Sequence, residues 1–256
     1  MYALITGASK GIGKEIAVEL AKQKYNLLLV ARSEGLLREV AIEIHEKYGV
    51  TVDYLAVDLA AVDVARKVYD WVEQKQYEVA ILVNNAGYGS VGNFDTYSIE
   101  QNRDMMNLNM ATLTEMCHVF LPMLKRQSKA YIMNIASSTA YQALPKMAVY
   151  AATKIFVLNF TRALKGELKG SSVSVTCISP GATDTGFNDR AAVPAKARKA
   201  AEKVAMTPEL VAKISVAAMF AGKTEVIPGL VNKLGVFLAW LAPKSITENV
   251  AAGIYQ

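Results

Sequence analysis

The chain has little of what builds a cross-linked or metal-held protein. Among its 256 residues are two cysteines, Cys117 and Cys177, and two histidines, His45 and His118. The cysteines lie far apart and in no C-x-x-C arrangement, which excludes a disulfide framework and a zinc module and fits a reducing cytoplasm. No apolar run approaches the roughly 20 residues that cross a bilayer. No basic segment precedes the first apolar run, which begins at Tyr2, so a secretory leader is not expected. No linker-like Pro, Gly or Ser stretch and no repeat divides the sequence, and a single domain over 1–256 is expected. Charge is sparse as well: 28 Lys and Arg stand against 23 Asp and Glu, a net of +5. Apart from a small group at Lys196, Arg198, Lys199 and Lys203, the basic residues are scattered. That is too thin for a nucleic-acid footprint and suits a small anionic ligand better.

What is present is alternation. Apolar or β-branched runs at 2–6, 26–31, 52–57, 79–84, 130–136, 172–179 and 225–227 are separated by helical patterns near 12–24, 34–48, 61–75, 99–127 and 149–169. Continuous apolar strands between helices predict a parallel sheet covered on both faces. Right-handed crossovers then give an α/β, doubly wound Rossmann fold of about seven strands. After "ISPGATDTG" the alternation stops. Residues 187–222 read as two helices, the second with Thr207 as N-cap and Pro208 at its first position. Residues 229–245 read as one hydrophobic helix. Both segments are expected to cap the carboxyl ends of the strands.

Three glycines follow the first strand in "TGASKGIG". Gly7, Gly11 and Gly13 permit a tight turn and close backbone approach, and the helix beginning there offers unpaired N–H groups to an anion. The spacing is G-x3-G-x-G, not G-x-G-x-x-G. An acidic residue about 20 positions further on would bind a ribose 2′-hydroxyl. Ala31 stands there instead, followed by Arg32, and Lys10 sits inside the glycine loop. Two cations and no carboxylate suit a 2′-phosphate, hence NADP(H).

Tyr150 and Lys154 lie four apart in a helical stretch and project from one face. A free tyrosine, with a pKa of about 10, is a poor acid or base near neutrality, but a neighbouring ammonium favours its phenolate. Ser137 and the adjacent Ser138, just past the "IMNIA" strand, each offer a hydroxyl that could bond a substrate oxygen. His45 reads as a solvated helix residue, and His118 as part of a packed or subunit-facing helix. No metal site is indicated.

Taken together, "TGASKGIG" (6–13), "NNAG" (84–87), Ser137, "YAATK" (150–154) and "SPGATDT" (179–185) resemble the signatures of the short-chain dehydrogenases/reductases, in that family's order and over essentially the whole chain. The resemblance implies hydride transfer between a nicotinamide nucleotide and a ketone or secondary alcohol. By it, Gly7, Ser9, Lys10, Gly11, Ile12 and Gly13 form the phosphate loop. Asp58 and Leu59 contact the adenine, and Asn85, Ala86 and Gly87 flank the adenosine ribose. Asn109 completes the set of Ser137, Tyr150 and Lys154 through a water-linked proton path, and Lys154 also binds the nicotinamide ribose. Pro180 and Gly181 mark the family's P-G motif; Thr183 and Thr185 bond the nicotinamide amide or phosphates, or else cap the next helix.

The sequence is similar to the NADP-preferring subgroup with 3-ketoacyl and steroid-type reductases, which implies a hydrophobic or acyl-linked substrate and a homodimer or homotetramer. Two other readings stay open. One is a non-catalytic NADP(H)-binding or interaction protein. The other is a lipid-handling protein at a membrane surface, disfavoured because the 229–245 helix has Trp240 and Phe237 but lacks a charged polar face.

Overall fold

Seven short strands pair in parallel: β1 (Tyr2–Thr6), β2 (Asn26–Ala31), β3 (Val52–Ala56), β4 (Val79–Asn84), β5 (Ala130–Ile135), β6 (Val173–Ile178) and β7 (Glu225–Val226). Their order is β3-β2-β1-β4-β5-β6-β7 in one sheet. The computed structural model describes residues 1–187, 191 and 193–254, with the side chains at 196, 200 and 254 outside the description. The sheet is the parallel, doubly wound arrangement that the alternation predicts. Its order reverses between β1 and β4, and in such sheets the crevice outside the carboxyl ends of these two strands is where ligands bind.

Both faces of the sheet are buried, which is why the strands read as unbroken apolar runs. Side chains alternate along β1: Leu4 joins Leu82, Phe120 and Val157 on one face. Ala3 and Ile5 join Ile16, Leu20 and Leu27 on the other. The second face is covered by α1 (Gly11–Lys22) and α2 (Glu34–Tyr48); the first by α3 (Val64–Gln74), α5 (Thr112–Lys125) and α6 (Ala148–Glu167). His45 is exposed, as expected, yet its Nδ1 lies 2.9 Å from the Val50 carbonyl and ties down the end of α2. His118 is exposed on α5, a helix that packs on the sheet through Met116, Cys117 and Phe120.

The structure corrects three expectations. The predicted helix over 99–127 is two helices, α4 (Ile99–Met106) and α5, joined by a π-turn at Asn107–Ala111. The extra residue in the wide turn re-aims Asn109 toward Tyr88. Within 187–222, α7 (Ala195–Glu202) and α8 (Pro208–Phe220) are present, and Thr207 caps α8 by accepting from the Leu210 N–H at 3.3 Å. But α8 is no cap over the cleft. Ala212, Val216 and Met219 are buried in the core beside α1, so α8 is a layer helix of the fold. Arg198, Lys199 and Lys203 lie on α7 or at its end; the Lys196 side chain lies outside the description. The 229–245 segment is α9 (Leu230–Leu241), and a further helix, α10 (Lys244–Ile254), follows it.

Candidate active site

The ends of β1 and β4 are laced together by the motifs at their tips. Thr6 Oγ1 accepts from the backbone N–H groups of Asn85 and Ala86, each at 3.0 Å. Asn85 Nδ2 donates to the carbonyls of Thr6 and Gly7 at 3.0 and 3.1 Å. The Asn85 side chain therefore holds the glycine loop in shape. Gly7 and Gly11 both have positive φ, +66° and +59°. A side chain at Gly13 would strike the Gly7 carbonyl and Asn85, so this glycine lets α1 lie close to β1. At the start of α1 the Lys10 cap makes no side-chain bond and the first turn carries no acid, which leaves its N–H groups fit for an anion.

Beside this turn runs a cleft of about 340 Å³. At one end it is lined by Gly7, Ser9, Lys10, Gly11 and Ile12 with Ala31 and Arg32. Asp58, Leu59, Asn85, Ala86 and Gly87 line its flank, Tyr150 and Lys154 its far end, and Thr185 lines it beside Gly11. The Asp58 carboxylate also accepts from the Ala60 N–H at 3.1 Å. Arg32 and Lys10 are exposed, and neither forms an ion pair among the described residues. A Cβ on Gly186 would come within 2.8 Å of Lys10 Nζ, and one on Gly11 would touch Thr185, so the segment after the P-G motif folds over the phosphate loop.

At the far end Tyr150 and Lys154 are both buried on α6, and Lys154 Nζ lies 5.8 Å from the Tyr150 ring centre. Lys154 donates to the carbonyl of Ile135 at 2.9 Å. Burial lowers its pKa from 10.5 to about 8. Ser137 is buried at the end of β5, where its Oγ accepts from the Thr139 N–H at 3.1 Å. With an acceptor site so used, the hydroxyl proton is left to donate elsewhere.

Gly13, Asn109, Ser137, Pro180, Gly181 and Thr183 stand back from the cleft lining. Asn109 is 1% exposed; its Oδ1 accepts from the Tyr88 N–H, and its Nδ2 donates to the Tyr88 carbonyl and to Thr153 Oγ1. Both ends of this amide are engaged, and its Oδ1 lies near Lys154 Nζ: a Cβ on Gly87 would touch both, at 2.9 and 3.3 Å. Pro180 accepts from the Ser138 N–H through its carbonyl at 2.8 Å and so places the turn after Ser137. Gly181 leaves room for Asn232 of α9. Thr183 is spent on the Gly181 carbonyl at 3.1 Å, while Thr185 Oγ1 accepts from the Phe187 N–H at 3.2 Å.

The lining also includes Ser33, Leu36, Tyr88 and Phe187, which the motifs do not single out. The Phe187 ring packs against Tyr150, with centroids 5.4 Å apart. Only its place in the loop after the P-G motif could have pointed to it.

Comparison with known proteins agrees with this geometry. The family model for short chain dehydrogenases matches residues 1–195. The chain is 33% identical over 185 residues to a human very-long-chain 3-oxoacyl-CoA reductase, covering 70% of this chain and 58% of the relative. It is equally 33% identical over 183 residues to a human protein named inactive hydroxysteroid dehydrogenase-like protein 1, covering 70% and 54%. The chain thus spans little more than half the length of these curated relatives. Among solved structures, a 7β-hydroxysteroid dehydrogenase superposes with a TM-score of 0.87 at 27% identity, covering 98% of this chain and 96% of that one. A short-chain dehydrogenase from Sphingobium yanoikuyae in complex with NADPH superposes with a TM-score of 0.82 at 28% identity, covering 92% and 91%. With the glycine loop, the paired strand tips and the Tyr150–Lys154 helix in place, the chain belongs to the short-chain dehydrogenase family of oxidoreductases.

Proposed function

We propose that this chain is an NADP(H)-dependent oxidoreductase that interconverts a ketone and a secondary alcohol, on a hydrophobic or acyl-linked substrate. The observation that carries the reading is the polarity of one cleft. Lys10, Arg32 and the start of α1 gather positive charge at one end, and Tyr150 and Lys154 are buried together at the other. The residues fit the nucleotide: glycines at 7 and 11 keep the backbone open, and Arg32 stands where an acid would repel a 2′-phosphate. When bound, NADPH supplies the hydride.

The chain's own groups do the rest. Tyr150 donates a proton to the carbonyl oxygen during reduction and takes it back during oxidation. Lys154, fixed by the Ile135 carbonyl, favours the phenolate by its charge. Ser137 donates its hydroxyl proton to the same oxygen as negative charge develops there. The apolar Phe187 beside Tyr150 supports an apolar substrate, as do relatives and neighbours named for 3-oxoacyl-CoA and hydroxysteroid chemistry.

A second reading, a non-catalytic nucleotide binder, draws on the relative named inactive, although this chain keeps Ser137, Tyr150 and Lys154. A panel of ketones of graded chain length, free and CoA-linked, separates the two. NADPH oxidation that rises with chain length is expected. NADPH binding with no turnover across the panel would leave the second reading standing.

A further inference from the structure

One helix of the described fold buries none of its side chains. Along α9 the side chains of Leu230, Leu234, Phe237, Leu238, Trp240 and Leu241 are all exposed, Leu230 at 82% and Trp240 at 70%. At 3.6 residues per turn they cover about half the circumference of the helix. Phe237 and Trp240 lie together, with ring centroids 6.1 Å apart. Ile246 and Val250 of α10 continue the exposed apolar surface. Soluble monomers seldom leave so large an apolar ridge uncovered without a use for it.

We propose that α9 docks in the plane of a bilayer surface that carries anionic headgroups. The charge pattern selects this occupant. From 227 to 247 the only charged residues are Lys233 and Lys244, both exposed, and the first carboxylate after them is Glu248. Lys244 is held at the carboxyl end of α9, where Nζ donates to the Ala239 carbonyl at 3.4 Å. The surface is thus an apolar ridge with one cation near each end, the complement of acyl chains beneath phosphate groups. A second copy of the chain fits less well. A two-fold contact through α9 would bring the same two lysines from each side and no carboxylate of α9 to meet them, Glu248 of α10 being half-buried.

The absence of a charged polar face, which counts against interfacial binding for an isolated helix, has a structural answer. The side of α9 away from the ridge is turned onto the protein. Asn232, Val236 and Ala239 are half-buried there, and Asn232 Nδ2 donates to the Pro228 carbonyl at 2.8 Å. The fold supplies the water-soluble side that a free interfacial helix must carry itself. None of the helices described is long and apolar enough to cross a membrane, so the contact is in-plane. Since α9 packs against the turn after Ser137, Ser138–Tyr141, docking turns the Ser137 side of the cleft toward the lipid.

The test uses the full chain with Trp71→Phe, which leaves Trp240 as the sole tryptophan. Phosphatidylcholine vesicles containing phosphatidylglycerol should shift Trp240 emission to the blue and carry the protein down on sedimentation. Pure phosphatidylcholine should bind it more weakly. Leu234→Asp with Phe237→Asp should lower partitioning by at least about tenfold, and Lys233→Glu with Lys244→Glu should weaken it in a salt-sensitive way. NADPH binding, retained in every variant, shows that the fold persists. The proposal is overturned if anionic vesicles neither shift Trp240 nor sediment the protein, or if the Asp variant still binds. Emission that is blue without lipid and reddens on dilution would assign the ridge to a second copy instead. Vesicle binding is read without turnover, so its failure leaves the reductase reading in place.

Discussion

Lys154 donates from Nζ to the carbonyl of Ile135 at 2.9 Å, and none of the ion pairs among the described residues includes it. A buried ammonium held by one backbone carbonyl is costly, and burial accordingly lowers its pKa to about 8. Stability is given up at the one position where the proposed chemistry needs a cation next to Tyr150.

Replacing that ammonium should therefore stabilise the cofactor-free protein. The folded pKa lies below the unfolded value of 10.5, so the penalty is full below about 8. As pH rises from about 8 to 10.5 the unfolded chain holds a proton that the folded chain has released, and wild-type stability recovers relative to the variant. Lys154→Met should raise the unfolding free energy at pH 7 by on the order of 1–3 kcal/mol, after the Ile135 carbonyl loses its donor. Urea unfolding at pH 7 and pH 10 measures this. A variant no more stable than wild type at pH 7 would contradict the burial account.

Tyr150→Phe removes the proton and keeps the ring that packs on Phe187. Turnover of a ketone found in the panel should fall about 10²–10⁴-fold, with NADPH affinity little changed. Ser137→Ala should cost less, on the order of 10–100-fold, because it deletes one of two donors to the substrate oxygen. Near-normal turnover by the Phe variant would sink the acid–base role of Tyr150.

Much of this site is legible in sequence because it is written in special residues at fixed spacings: glycines that must turn, and a Tyr and Lys four apart. The strands are legible because both faces of the sheet are buried. The π-turn is not. Met105, Leu108, Leu113 and Met116 keep an apolar helical rhythm straight through it, and one extra residue per turn changes hydrogen bonding without changing composition. The hold of Asn109 on the backbone of Tyr88 is hidden for a related reason, since backbone groups are common to every residue and leave no mark in sequence. The core role of α8 did have a signal. Val211, Ala212, Ser215, Val216 and Met219 share one helical face and are all buried, but β7 is only two residues long and hides the last crossover.

Cofactor preference tests Lys10 and Arg32 together. If both hold a 2′-phosphate, Lys10→Ala with Arg32→Ala should weaken NADPH binding by about 10–100-fold and leave NADH within about twofold. Titration calorimetry with both nucleotides reads this directly. Equal losses for the two nucleotides would mean that the cations serve the shared pyrophosphate instead.

Two glycines separate close packing from chain flexibility. A Cβ on Gly13 would collide with the Gly7 carbonyl and Asn85 Nδ2. Both belong to the lacing between β1 and β4, so neither can retreat without breaking the Asn85 bonds to Thr6 and Gly7. Gly13→Ala should then destabilise the protein by about 2–3 kcal/mol and weaken nucleotide binding as well, because α1 is pushed off the loop it starts from. Gly166, on α6, has nothing within 4 Å of its Cβ position. There the same substitution should add about 0.5–1 kcal/mol by removing glycine's excess freedom in the unfolded chain and should leave binding untouched. Thermal unfolding of the two variants, with and without NADPH, compares them on one scale. A tolerated Gly13→Ala would show that the β1–α1 approach is looser than these contacts require.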